Sequence, residues 1–139
     1  MAATFYTEPL LTFDVGIFVA LPGGEKLLQP LAPLYDALKE RGYSVETEYV
    51  MIEGVPVQFL PAYNALIQEA LDEARHTSYD GVPLNVMRAE HLIAICIQTG
   101  REKDRERVRV LRDVPDLDRR LLEDLLDRHK LERTWIPWM

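Results

Sequence analysis

At 139 residues, 47% of them hydrophobic, the chain is long enough for one domain with its own core and needs no disulfide staples. A formal charge of −7 and a pI near 5.0 exclude a protein that grips nucleic acid mainly by neutralising phosphates, so no strong nucleic-acid binding is expected. No apolar run approaches the roughly 18 residues of a membrane span, "MAATFYTEPLL" has neither a basic start nor a cleavage site, and the lone Cys96 forbids an internal disulfide, so a cytoplasmic setting without a membrane partner is expected.

The run "TFDVGIFV" alternates, with Phe13, Val15, Ile17 and Val19 on one side and Asp14, Gly16 and Phe18 on the other. Both sides are apolar enough to be covered, which predicts a central or near-central strand. "LAPLYDALKERG" puts Leu31, Leu34, Tyr35 and Leu38 on one helical stripe, with Gly42 as its C-terminal cap. "YSVETEYVMI" and "VPVQFLP" read as two strands joined at Glu53-Gly54 in a tight hairpin. Asn64 caps the helix "NALIQEALDEAR", whose buried face is Leu66, Ile67, Ala70 and Leu71, and "HTSYDGVPLNV" forms a second hairpin turning on Asp80-Gly81.

From there the spacing is helical, in "AEHLIAICIQTG", "EKDRERVRVLRD" and "DLDRRLLEDLLDRH", punctuated by Gly100 and Pro115. The expected class is α/β or α+β: a mixed sheet with flanking helices and a helical C-terminal third, in a single domain over 1–139 divided into a sheet part, 1–87, and a helical part, 88–139.

Asp14 is the first chemical candidate. An acid inside an apolar strand is costly to bury without a partner. It either ends the strand in solvent or on a backbone amide, or serves as a metal ligand, since residues two apart on a strand share a face and a D-x-D pair can clamp one Mg²⁺ with substrate phosphates. Cys96, in "HLIAICIQTG", reads as a buried, inert thiol. His76, His91 and His129 share no short ligand spacing, so zinc is not expected. No G-x-S-x-G turn is present, and Gly23-Gly24 lacks the Lys-Ser/Thr ending of a P-loop, which makes it a plain strand-to-helix turn. "GREKDRERVR" alternates in sign as a solvated helix face does, although Arg101 and Lys103 stand just after the Gly100 break, where they could reach a phosphate.

Together, "YTEPLLTFDVGIFV", "LAPLYDALKERGYSVE", "IEGVPVQFLPAYNALIQEAL" and "MRAEHLIAICIQTGREKDRERV" resemble the nucleotidyltransferase-fold superfamily, which includes small bacterial minimal nucleotidyltransferases and the transferase-like toxins of abortive-infection systems. The T-x-D-x-x-x-F-V strand and the R-x-K-D segment at Arg101, Lys103 and Asp104 carry most of the likeness. The resemblance implies two metal-binding acids on the first strand, a third on a later strand, and an upstream glycine turn. These bind a nucleoside triphosphate with Mg²⁺ and let an acceptor hydroxyl attack the α-phosphate. Asp14 matches the first acid, as catalytic residue and metal ligand, while Gly16 and Gln58 stand where the other two belong. The glycine turn would precede Met1. Arg101 and Lys103 would lie on the nucleotide side.

One carboxylate and a neutral amide do not supply the charge that two Mg²⁺ ions need. The expected function is therefore a nucleotidyltransferase-fold protein, catalytically impaired, acting as a ligand-binding or protein-interaction module. The alternative is an active Mg²⁺-dependent enzyme whose site is completed by Glu48 or Glu53. The apolar ending "RTWIPWM" is expected to dock on this subunit or on another, so that Trp135 and Trp138 could seal a homo-oligomer.

Overall fold

The computed structural model describes Tyr6 and residues 15–20, 31–46 and 48–138; Asp14, Gly23 and Gly24 lie outside the described residues. The class is mixed α+β, with a mixed four-stranded sheet, a two-stranded sheet and helices in the C-terminal part. Two compact units divide between residues 68 and 69, and Tyr6 belongs with the second. The second hairpin thus groups with the C-terminal helices, whereas the sequence reading placed it with the sheet.

In the first unit, β1 (Val15–Val19) is followed by α1 (Ala32–Glu40), β2 (Ser44–Glu46), β3 (Tyr49–Ile52) and β4 (Val55–Pro61), and the sheet order is β1-β4-β3-β2. β4 pairs parallel with β1 and antiparallel with β3. Gly42, at φ 90°, closes α1 as expected: its N–H donates to the Lys39 carbonyl at 2.9 Å and Tyr43 N–H donates to Leu38 O at 3.1 Å, the paired bonds of a Schellman cap. The Tyr35 ring of α1 meets Phe59 of β4 edge-on at 6.2 Å.

Two expectations are corrected here. "YSVETEYVMI" is not one strand but two, β2 and β3, folded antiparallel with Glu46 opposite Tyr49. Its continuous β-propensity hides a reversal that no Gly, Asn or Pro announces. Among the described residues β1 is an edge strand and not a central one, and Ile17 is 41% exposed. Among the described residues, the apolar character of both faces of Val15–Val19 does not put β1 inside the sheet.

The expected turns do form. Glu53 and Gly54 have φ of 50° and 78°, and Asp80 and Gly81 have 49° and 77°, the two successive positive values of a type I′ hairpin. In each hairpin a Val-Pro pair follows the glycine. Pro56 and Pro83 stand opposite Met51 and Ser78, one step beyond the turn-flanking pair. At that step the backbone N points away from the partner strand, so the proline forfeits no bond within its hairpin.

α2 (Ala65–Asp72) starts at Asn64, whose Oδ1 accepts from Ile67 N at 2.9 Å. Leu66, Ile67 and Ala70 are buried, and Leu71 is half-buried. In the second unit β5 (Arg75–Tyr79) and β6 (Val82–Val86) pair with each other, and Tyr6 donates its hydroxyl to Met87 O at 2.8 Å. The helices α3 (Ala89–Thr99), α4 (Glu102–Leu111), α5 (Arg119–Arg128) and α6 (Glu132–Trp138) follow, with α3 packed on both α4 and α5, and α6 on α4 and α5. Gly100 ends α3 at φ 72°. Asp118 starts α5 by accepting from Arg120 N and Leu121 N, each at 3.1 Å.

The core of this unit is Ile93, Ala94 and Ile97 of α3, Val108 and Leu111 of α4, and Leu122, Leu125 and Leu126 of α5. The tail docks within the chain at Trp138, which is buried beneath the Arg105 guanidinium, 5.2 Å from its ring centre. Trp135 is half-buried and Ile136 exposed.

Candidate functional site

In the sheet unit, the parallel register of β1 and β4 sets Gly16 directly against Gln58. Partners in a strand pair share a face, so these two positions look the same way. Gly16 is exposed and Gln58 half-buried. Among the described residues, a Cβ built on Gly16 would meet only the Leu60 Cδ1, at 3.8 Å, an ordinary contact, so none of them forces its lack of a side chain. Gln58 Nε2 donates to the exposed Glu48 Oε2 at a long 3.5 Å, which brings one hairpin carboxylate beside the pair. Glu53 is exposed in the type I′ turn.

In the helical unit, Arg101 and Lys103 lie at the start of α4, and both are exposed. Arg101 is committed to Asp104: Nε donates to Oδ2 at 2.7 Å and Nη2 to Oδ1 at 3.1 Å, while Asp104 Oδ2 also accepts from Arg101 N at 3.3 Å. Arg107 adds a third cationic donor to Oδ1 at 3.2 Å. Asp104 is 1% exposed, a buried carboxylate that closes the first turn of α4. The R-x-K-D segment therefore builds a helix N-terminus, and Lys103 is exposed there with no ion pair among the described residues.

Cys96 is buried as expected, and desolvation pushes its thiol up to about 12, so it is neither a nucleophile nor a ready ligand. His76 lies on the exposed hairpin beside Asn85.

The densest polar constellation is one the sequence reading passed over. Glu69 of α2 receives Arg128 in bidentate fashion, Nη1 to Oε2 at 2.9 Å and Nη2 to Oε1 at 2.7 Å. Arg128 Nε is held at the same time by Asp124 Oδ2 at 2.7 Å. His129 Nε2 lies 3.1 Å from Glu69 Oε2, and His91 Nε2 lies 3.6 Å from Oε1. The Arg128 hydrogen bonds hold the Glu69 carboxyl down at about 2 despite partial burial, with His129 helping. His91 goes the other way: desolvation lowers its pKa and keeps it neutral, against the opposing pull of Glu69 and Glu73.

His91 and His129 have no ligand spacing between them, yet the packing of α3 and α5 sets both on Glu69. The one local signal in the sequence was Glu69 and Glu73, four apart on a helical face.

Compared with protein-family models and with curated proteins, the chain matches none. Among the described residues no helix is long and apolar enough to cross a membrane.

Proposed function

We propose that this chain is a nucleotidyltransferase-like protein that does not catalyse transfer and acts as a ligand-binding or protein-interaction module. The observation that carries the reading is the Gly16–Gln58 pairing. The two positions where the resemblance calls for metal-binding acids fall on adjacent strands in direct register, as a shared metal face requires, and neither holds a carboxylate. A glycine and an amide cannot neutralise a divalent pair and a triphosphate. Glu48, brought beside Gln58, favours the second reading, an active Mg²⁺ enzyme using Asp14 and Glu48.

Calorimetry with Mg²⁺-ATP, run beside a pyrophosphate-release assay, separates the two. The module reading expects no pyrophosphate above background, and a Glu48→Gln variant that behaves like the parent; release that disappears in Glu48→Gln establishes the enzyme instead. The double variant Gly16→Asp with Gln58→Asp tests the face itself. Its acids repel one another without metal, so Mg²⁺ should raise its melting temperature and leave the parent's nearly unchanged. An equal Mg²⁺ response in both removes the basis for the family reading.

A further inference from the structure

Glu73 N donates to Glu69 O at 3.0 Å, so the helical path runs on past α2 and both carboxylates leave the same side. His91, in the first turn of α3, is 0% exposed, and among the described residues neither of its ring nitrogens has a hydrogen-bond partner. Its Nε2 is aimed at Glu69 Oε1 across 3.6 Å, just beyond hydrogen-bond reach. One ligand atom from each of Glu69, Glu73 and His91 lies within 4.8 Å of the other two.

A buried imidazole with both nitrogens unmet is a standing cost of folding, which an apolar side chain of similar size would avoid. A coordinate bond at Nε2 removes the part of that cost that falls on the nitrogen facing Glu69. From this we infer that Glu69, Glu73 and His91 bind a divalent ion of the zinc class, with a solvent molecule completing the shell.

The donor chemistry selects the ion. A neutral imidazole with two carboxylates suits Zn²⁺ or Co²⁺, whereas Mg²⁺ and Ca²⁺ prefer all-oxygen shells. Two ionised carboxylates cancel the ion's charge. Bonds of about 2.1 Å to zinc put ligand atoms about 3.4 Å apart, so the three donors must draw inward from their present spacing, and Glu73, being exposed, has room to do so. Its side is also the ion's entry path.

Arg128 and His129 are the outer partners. They hold the Glu69 carboxylate mainly through Oε2, which meets both Arg128 Nη1 and His129 Nε2, while Oε1 meets only Arg128 Nη2 and retains a lone pair for the ion. The site is independent of the reading given to Gly16 and Gln58.

The test is titration of the chelator-treated full chain with Zn²⁺ by calorimetry and with Co²⁺ by visible absorption. One ion per chain is expected, with the intense Co²⁺ band of low coordination. Glu73→Gln, at an exposed position the core does not use, should weaken binding at least about tenfold. His76→Ala, on the exposed hairpin, should leave it unchanged. Absence of binding, binding untouched by Glu73→Gln, or binding lost in His76→Ala would each overturn the site.

Discussion

The two compact units invest their side chains differently. Among the described residues of the sheet unit, only Val50, Val57, Leu66 and Ile67 are buried apolar side chains, and α1 contributes none. The helical unit buries a continuous set from α3, α4 and α5, and places charged groups inside it only with partners: Asp104 with Arg101 and Arg107, Glu90 with Arg88 and the Asp118 amide. Among the described residues the sheet has few buried side chains, so exchanges on its face should cost the fold little. In the helical unit the buried carboxylates Asp104 and Glu90 are held by partners, so exchange at those positions costs more.

The contrast is sharpest in the core. Leu125→Ala removes a fully buried side chain and should cost about 2–5 kcal/mol in urea denaturation, whereas Ile17→Ala on the exposed β1 should cost less than about 1 kcal/mol. Equal losses would mean that β1 is as well covered as α5.

Polar groups give a smaller difference. Asp104→Asn weakens the charge-assisted bonds that close the start of α4 and should destabilise by about 1–2 kcal/mol, since both arginines can turn to water. Gln58→Ala, which loses one long bond to an exposed acid, should stay within about 0.5 kcal/mol of the parent. The two arms of this comparison are read from the same denaturation series, and a costly Gln58→Ala would show a polar network in the sheet as tight as that of the helices.

The helical unit also carries a pH dependence at Cys96 that the sheet has no counterpart for among the described residues. Burial holds the Cys96 thiol near 12 in the folded chain, against an ordinary value of 9.0, so above pH 9 the unfolded chain sheds a proton that the folded chain keeps. Stability should therefore fall as pH rises from 9 toward 12, by about 1 kcal/mol at pH 10 from this residue. Cys96→Ala should flatten that part of the profile by the same amount, and an unchanged slope would show that the thiol is not buried as described.

Much of the fold was legible in the sequence because its signals are local. Glu53-Gly54 and Asp80-Gly81 announce their turns, Asn64 its cap, and Gly42 and Gly100 their helix ends. The reversal between β2 and β3 was not legible, since a run rich in β-formers carries no mark of where it folds back. Nor was the edge position of β1, because apolar residues on both sides of a strand do not say which neighbours it will have. The register that sets Gly16 against Gln58 depends on which strands pair, and no local signal announces that. The Glu69 cluster escaped for the opposite reason: His129 meets Glu69 across 60 residues of chain, and only the packing of helices decides that.

The Val-Pro pair that follows each type I′ turn has a further consequence for the small β5–β6 sheet. Its strand β5 is exposed along its whole length, and such a two-stranded ribbon offers outward N–H and C=O groups to any passing extended chain. Pro83 takes one donor out of that outward row and sets a rigid ring in its place. A strand approaching the outer edge of β6 would meet one donor fewer and a rigid ring, at no cost to the hairpin's own pairing, whereas β5 keeps its full outward row.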